Sequence, residues 1–474
     1  MNSIWIMGAR YAAVALLGPA LLLGPSPANA QSGPVATPPT WGGDIGSRPR
    51  LTGDWGGLRD ELGVKGVTLD TDVLLMPQSV VSGGKDNGTE FWGNATYTLN
   101  ADFGKLGLWP GGFLKVQGET SFGNTLLEDV GSIFGANETW LWPEVNEPSS
   151  ALMGATFTQF LSHQFGMFAG KISTPDLGFA GWFAGDYRSQ FLNPAINFPL
   201  ALDLVPLSAF GGGVIVIPSE TIHLSAMVLD PSGTPIDNDV GNAFSDGILV
   251  LAAGSLTIKP FGLVGRQNLS FVWSNKDRLS LIQDPSNFAR FLLNERFPRL
   301  GDPGPILLEI LERFAPGLLI PVQPLNREDR TWAIVYGFEQ YIWQPEGDPN
   351  RGLGVFFNFG VSDGDANPVK YSYNVGIAGN GVVPGRPDDK FGIAWARTQF
   401  SDNLLPFLRQ TLDLGLDHED AIEMYYNASI TPWMTQSIDL QVINSGLKKT
   451  LDSNNQLTDV DTTVVVGLRT YIRF

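Results

Sequence analysis

The sequence contains no cysteine, which excludes a disulfide framework, a thiolate zinc site and a cysteine nucleophile. Histidine is nearly as scarce. His163, His223 and His418 are the only three, and none stands at zinc-ligand spacing from another. Only His223, with Ser225 on the same side of a strand, invites comparison with a hydrolytic base and nucleophile; the simpler reading is two polar residues on one strand face. No enzyme activity and no cofactor or metal is expected. Basic residues are outnumbered, 30 Lys+Arg against 48 Asp+Glu, so nucleic acid is not an expected partner. Long apolar runs are missing too. No internal segment supplies the ~20 uninterrupted apolar residues of a membrane-spanning helix, and the most apolar stretch, Ile248 to Ala253, is short and flanked by glycine or polar residues.

What is present favours strands joined by turns: 56 glycines, 33 prolines and 11% aromatics. The N-terminus, Met1 to Ala30, has a basic residue at Arg10, an apolar run from Ala12 to Leu23 broken by Gly18-Pro19, and a small-residue site Ala28-Asn29-Ala30. It reads as a removable export signal, with a mature chain starting near Gln31. Arg10 is its only charge, so the mature chain holds 29 basic against 48 acidic residues, a net of −19. Residues 31–66 read as a periplasmic lead. Its last part, Leu51 to Gly66, is expected to form a short helix with Asp54 as N-cap and Leu58 and Leu62 on one face.

Period-two alternation begins at Val67 and recurs to the end of the chain. Val67, Leu69, Val73 and Leu75 oppose Thr68, Asp70 and Asp72 in the first strand, Val67 to Leu75. Phe91, Ala95, Tyr97, Leu99, Ala101 and Phe103 oppose Asn94, Thr96, Thr98, Asn100 and Asp102 in the second. Sixteen such segments are expected, the last being Thr462 to Phe474. There Val464, Val466, Leu468, Thr470, Ile472 and Phe474 face away from Gly467, Arg469, Tyr471 and Arg473. A terminal aromatic on an alternating strand in an exported bacterial chain is the usual ending of an outer-membrane barrel. Short connections such as Leu161 to Gln164 alternate with long ones such as Gly123 to Ser150, Ser173 to Leu207, Asn275 to Arg330 and Ser401 to Asp420. Short periplasmic turns and long outer loops put both termini in the periplasm. Helical spacing of Phe288, Phe291, Leu292, Ile306, Leu307, Ile310 and Leu311 predicts a small helical cap over Ser286 to Phe314.

The fold class is therefore all-β: a transmembrane antiparallel barrel of about sixteen strands over 67–474, with a short N-terminal periplasmic helix and long outer loops. Facing follows from cost. An Arg or Lys on the lipid face at mid-bilayer costs about 2–4 kcal/mol, whereas in a wet lumen it stays hydrated. Strand parity thus assigns Lys115, Gln117, Glu119, Arg266, Asn268, Glu339, Glu423, Asn427, Asp439, Gln441, Arg469 and Arg473 to the lining. In Phe391 to Phe400, Trp395 and Arg397 are expected to point inward, opposite Gly392, Ala394 and Ala396.

Several motifs resemble the carbohydrate-selective outer-membrane porins, the OprB family. They are Leu51-Thr52-Gly53-Asp54-Trp55-Gly56-Gly57-Leu58-Arg59 followed by Gly66-Val67-Thr68-Leu69-Asp70, then Leu108-Trp109-Pro110-Gly111-Gly112, Arg351-Gly352-Leu353-Gly354-Val355-Phe356, Pro384-Gly385-Arg386-Pro387-Asp388-Asp389 and Glu423-Met424-Tyr425-Tyr426. They stand in the family's order from Leu51 to Phe474, and the stretch Ser173 to Arg330 carries least of the likeness. The resemblance implies a sixteen-stranded channel for passive, facilitated diffusion of mono- or small oligosaccharides across the bacterial outer membrane. A lumen of that size is aqueous.

Sugars present hydroxyls around apolar C–H faces, so aromatic surfaces beside bidentate donors and acceptors suit them. The Ser173 to Leu207 loop offers Phe179, Trp182, Phe183, Tyr187 and Phe191 with Asp186 and Arg188. It either folds into the lumen or packs its aromatics on the wall. Glu423 and Tyr425 share a parity and serve either a wall hydrogen bond or a sugar. The candidate lining set is Lys115, Glu119, Trp182, Arg188, Glu339, Trp395, Arg397, Glu423, Tyr425 and Arg469. Expected partners are carbohydrate solutes, outer-membrane lipid and lipopolysaccharide, and the barrel assembly machinery through the strand ending in Phe474. Asp363-Gly364-Asp365, in an outer loop, is placed for divalent ions that bridge lipopolysaccharide, although it and Asp388-Asp389 are more simply solvated turns. Monomer and homotrimer are both open, as are a general or anion/small-acid pore and a plugged barrel with an enzymatic or adhesive role.

Overall fold

The computed structural model describes residues 38, 40–137, 149–175, 181–202, 204–284, 323–404, 415–451 and 457–474. The expected export signal and the helical cap over Ser286 to Phe314 lie outside them. Sixteen strands close into one antiparallel barrel: β1 Val67–Gly84, β2 Thr89–Asp102, β3 Gly112–Gly123, β4 Ser150–Ser162, β5 Phe165–Ser173, β6 Ser208–Ser219, β7 Ile222–Leu229, β8 Leu249–Ile258, β9 Gly265–Ser274, β10 Thr331–Trp343, β11 Gly352–Ser362, β12 Val369–Asn380, β13 Lys390–Phe400, β14 His418–Thr431, β15 Met434–Asn444 and β16 Asp461–Arg473. Each pairs with its chain neighbours, and β16 pairs with β1 to close the ring. Closure satisfies every strand edge internally, which a hydrocarbon surrounding requires.

All sixteen expected strands are present. The largest difference is β1, which continues nine residues past Leu75. The seam ladder skips Met76 and Pro77 and resumes at Gln78↔Gly467, so the missing proline N–H falls where no partner is needed. Burial alternates along each strand. In β16, Thr463, Val465, Gly467 and Arg469 are buried while Val466 and Leu468 are exposed. The outer face carries large apolar side chains, among them Leu69, Tyr97, Leu224, Leu269, Ile393, Met424 and Ile438. Near the short-turn end Phe103, Trp109 and Phe157 cluster, with ring centroids 4.8–6.4 Å apart. Toward the other end, Phe359, Tyr371, Tyr373 and Trp395 form a second run. Two aromatic bands on an apolar cylinder are the girdles of a membrane barrel.

The N-terminal helix α1, Leu58–Val64, differs from expectation. Its N-cap is Gly57, at φ 93°, rather than Asp54, and its buried residues are Arg59 and Gly63 rather than Leu58 and Leu62. The reason lies in what the helix docks on. Arg59 donates to Asp70 at 2.7 Å, to the Leu69 carbonyl at 2.8 Å and to the main-chain oxygen of Phe474 at 3.0 Å. Its guanidinium lies between the Trp41 and Trp55 rings, at 5.4 and 4.8 Å. Gly63 leaves room for Trp41, whose ring would stand 2.5 Å from any Cβ there. Arg50 adds contacts to Asp70 and Asp72 at 2.9 and 2.8 Å. The segment thus straddles the seam between the first and last strands.

Candidate functional site

The connection between β5 and β6 folds back into the barrel and packs on the inner wall. Phe183, Phe191, Ile196, Leu200, Ala201, Leu202 and Val205 are all fully buried. Its short helix α2, Pro194–Asn197, starts at Asn193, whose side chain accepts the Ala195 N–H. Two apolar contacts seat the loop. Phe183 and Phe191 lie against Tyr341, Phe356, Ala378, Ala394 and Tyr425 on β10–β14. Farther up, Phe198, Leu202, Leu204 and Val205 pack on Ile215, Met227, Leu229, Leu249, Leu251, Val272, Ala333 and Val335. The wall is thinned to receive the rings: a Cβ at Gly354 would sit 2.1 Å from Phe183, and one at Gly392 would sit 2.7 Å from Phe191.

Main-chain polar groups of an inserted loop must find partners, and wall side chains supply them. Glu423 accepts the Leu192 and Asn193 N–H groups at 2.6 and 2.7 Å. Glu339 accepts the Phe183 N–H at 3.0 Å and is paired with Arg266 at 2.5 Å. Arg469 donates to the Tyr187 carbonyl, and to the Gln190 carbonyl at 2.6 Å. Asn374 donates to the Ala195 and Ile196 carbonyls, Asn380 to that of Trp182. Lys390 reaches the Ser189 hydroxyl at 2.7 Å and stands 3.7 Å from Asp186. Burial raises the Asp186 carboxyl, but Lys390, the Ser189 hydroxyl, Arg188 and Arg469 outweigh it and hold it below the usual carboxylate range.

The connection after β3 is tied down the same way. Glu419 accepts N–H groups of Ile133, Phe134 and Gly446 at 2.8–3.2 Å, and Gln441 donates to the Ala136 carbonyl at 2.7 Å. Lys171 donates to the Pro235 and Asp237 carbonyls, fastening the connection after β7.

The ten expected lining residues therefore divide by environment. Glu339, Glu423 and Arg469 face inward but are buried against the loop, with Tyr425 stacked edge-on against Phe191 at 4.8 Å. Glu119 is buried beneath Asn94 and Gln117, which donate to it at 3.1 and 2.8 Å. Lys115, Trp182 and Arg188 are half-buried. Trp182 stands 5.5 Å from Tyr341 and carries the Arg266 guanidinium at 5.1 Å. Arg188 lies over the Tyr187 ring at 4.4 Å and reaches Thr96 Oγ1 at 3.5 Å.

Trp395 and Arg397 correct the expectation, because they point outward. Gly392, Ala394, Ala396 and Thr398 are the buried positions of β13, and Ile393 on the other parity is exposed. The small residues face the lumen because Phe183 and Phe191 need the space. Arg397 stays on the outside through a two-pronged pair with Asp420 at 2.7 and 2.8 Å, near the long-loop rim. The loop clamps Asn374, Asn380, Lys390, Glu419 and Lys171 were not anticipated from the sequence. Their signal is a polar residue on the inward parity next to small neighbours. Among the described residues, no group of carboxylates and histidines has the geometry of a metal site.

An apolar exterior, a closed sixteen-strand wall and a loop-narrowed polar interior define an outer-membrane porin barrel. The model of the carbohydrate-selective porin family, OprB, matches residues 87–474, and the chain belongs to that family. Porin B of Pseudomonas aeruginosa is 26% identical over 151 residues. That match covers 29% of this chain and 31% of Porin B, so it spans about a third of the relative. The high-pH structure of Pseudomonas putida OprB superposes with a TM-score of 0.70 at 21% identity, covering 91% of this chain and all of that one. The low-pH structure of the same protein gives 0.52 at 17% identity, over 90% and 99%. These structural likenesses establish the fold.

Proposed function

We propose that the chain is a passive channel for carbohydrates, mono- or small oligosaccharides, into the periplasm. The observation that carries this reading is where the wall charges go. Glu339, Glu423, Arg266 and Arg469 are consumed by one another and by the inserted loop, which narrows the lumen and commits those four side chains to structure. A neutral polyol exchanges its hydration for the remaining hydroxyls and amides at little cost, while the four committed groups offer an ion nothing. Nothing needs to be transformed in transit. Lys115, Trp182 and Arg188, which are half-buried, are the proposed solute contacts, and Glu339, Glu423, Tyr425 and Arg469 act by holding the loop.

The same proposal has Met1 to Ala30 leaving as the export signal and the β16 strand ending in Phe474 engaging the assembly machinery. Outer-leaflet lipopolysaccharide would surround the long-loop rim. Swelling of liposomes that hold the purified protein tests the central claim. Monosaccharides should enter faster than amino acids of equal size; equal rates would make it a general diffusion pore, and no swelling would mean a plugged barrel.

A further inference from the structure

One transverse row of the inner wall is built from neutral groups across six strands. Register aligns His223 with Ser255, Ser255 with Asn268, Asn268 with Gly337, Gly337 with Asn358, and Asn358 with Asn374. The inserted loop meets the wall on both sides of this row. On one side Ala201 and Pro199 approach Gly360, and on the other Phe183 is bonded to Glu339. Asn374, at one end, is spent on the loop. Asn358 donates to Asn374 at 2.9 Å, which fixes its rotamer and leaves its remaining valences free to turn inward. Asn268 is half-buried, and among the described residues none is hydrogen-bonded to its amide.

Gly337 lies between these two amides. A Cβ there would stand 2.1 Å from Asn358 Oδ1, so the Asn358 side chain leans over the glycine toward Asn268. Their backbones are two strands apart, roughly 10 Å, which leaves a notch between two carboxamides. Each carboxamide offers one acceptor oxygen and two donor hydrogens without charge, and a vicinal diol offers the matching donor and acceptor pair. The nearest charges, Arg266 and Glu339 one row away, neutralise each other at 2.5 Å.

We propose that Asn268 and Asn358, facing across Gly337, form the diol-binding subsite that sets selectivity for carbohydrate over equally sized charged or zwitterionic solutes; this rests on the carbohydrate reading above. A polar subsite of this kind rejects solutes that leave its amides unpaired. The test is block of single-channel ion current by glucose and by sucrose, on the full chain in planar bilayers. Asn268→Ala removes no hydrogen bond of the wall, so folding and strand content should be unchanged while sugar block, taken relative to each variant's own sugar-free current, weakens roughly three- to tenfold, the worth of about one hydrogen bond. Asn268→Asp should likewise weaken block and raise cation preference. If wild type is blocked and both variants are blocked equally well, the subsite is wrong and the channel reading stands. If neither sugar blocks wild type and swelling shows no sugar preference, the carbohydrate reading fails and the subsite with it.

Discussion

Glu423 and Asn193 meet at 2.7 Å, the carboxylate accepting a main-chain N–H, and the second carboxylate oxygen takes the N–H of the preceding residue, Leu192, at 2.6 Å. One wall carboxyl group thus holds two consecutive amides just before α2, deep inside the barrel. A hydrogen bond of this kind contributes about 0.5–1.5 kcal/mol net. Glu423→Gln can accept only one of the two N–H groups and presents an NH2 to the other, so the loop should loosen while the barrel persists. Single-channel conductance should rise and sugar preference fall, with the strand content measured by circular dichroism unchanged. Wild-type conductance in the variant would show that the loop is held without this contact.

Arg59 supports the seam from outside the strands. It touches β1 through Asp70 and Leu69 and the end of β16 through Phe474. Arg59→Ala removes those bonds, but Arg50 remains on Asp70. The single substitution should therefore cost about 1–3 kcal/mol, and Arg50→Ala combined with Arg59→Ala should cost more than the two separately, because both serve one carboxylate. Urea unfolding of the folded barrel in detergent, followed by tryptophan fluorescence, reads this. Simple additivity would mean that the two arginines act independently.

The absence of native cysteine allows a clean test of facing. Trp395→Cys and Ile393→Cys should be protected from a membrane-impermeant maleimide and labelled by a lipid-soluble one. Lys115→Cys should show the reverse. Because Trp395 faces outward, Trp395→Ala should leave solute selectivity as it is. Altered selectivity in that variant, or rapid labelling of Trp395→Cys from water, would return the residue to the lumen.

The strands were legible because facing alternates with period two and lipid demands apolar side chains. Strand β13 shows where that logic fails. Its two parities carry Gly392, Ala394 and Ala396 on one side and Ile393, Trp395 and Arg397 on the other, and the larger, charged set looked like lining. What decides the facing is Phe191 and Phe183, contributed by a loop some two hundred positions earlier, which fill the lumen and demand small neighbours. The charge of Arg397 is then satisfied laterally by Asp420 on β14, a pairing that becomes visible only once register is known. Glu423 and Arg469 were placed on the correct face for the same reason the strands were found. That their partners are main-chain atoms of a loop could not be read from a sequence pattern, since backbone groups leave no residue-type signature.

Acid should open the channel by way of Asp186. Its carboxyl is half-buried in the loop, and that desolvation alone would raise it, but Lys390, the Ser189 hydroxyl, Arg188 and Arg469 hold it below the ordinary range. A depressed folded value means that the ionised form stabilises the docked loop. That contribution is fully present above the unfolded value of about 3.9 and disappears as pH falls through the lower folded value. The part of the conductance that Asp186 controls should therefore be flat from neutral pH down to about 4 and rise below it as the loop releases. Asp186→Asn removes the charge at every pH, so it should conduct more than wild type at neutral pH and lack the part of the acid response that Asp186 provides. Recording both proteins from pH 7 down to about 2.5 separates this group from Glu419 and Glu423, which remain in the variant. Identical profiles would assign the acid response to those carboxylates and leave Asp186 without a gating role.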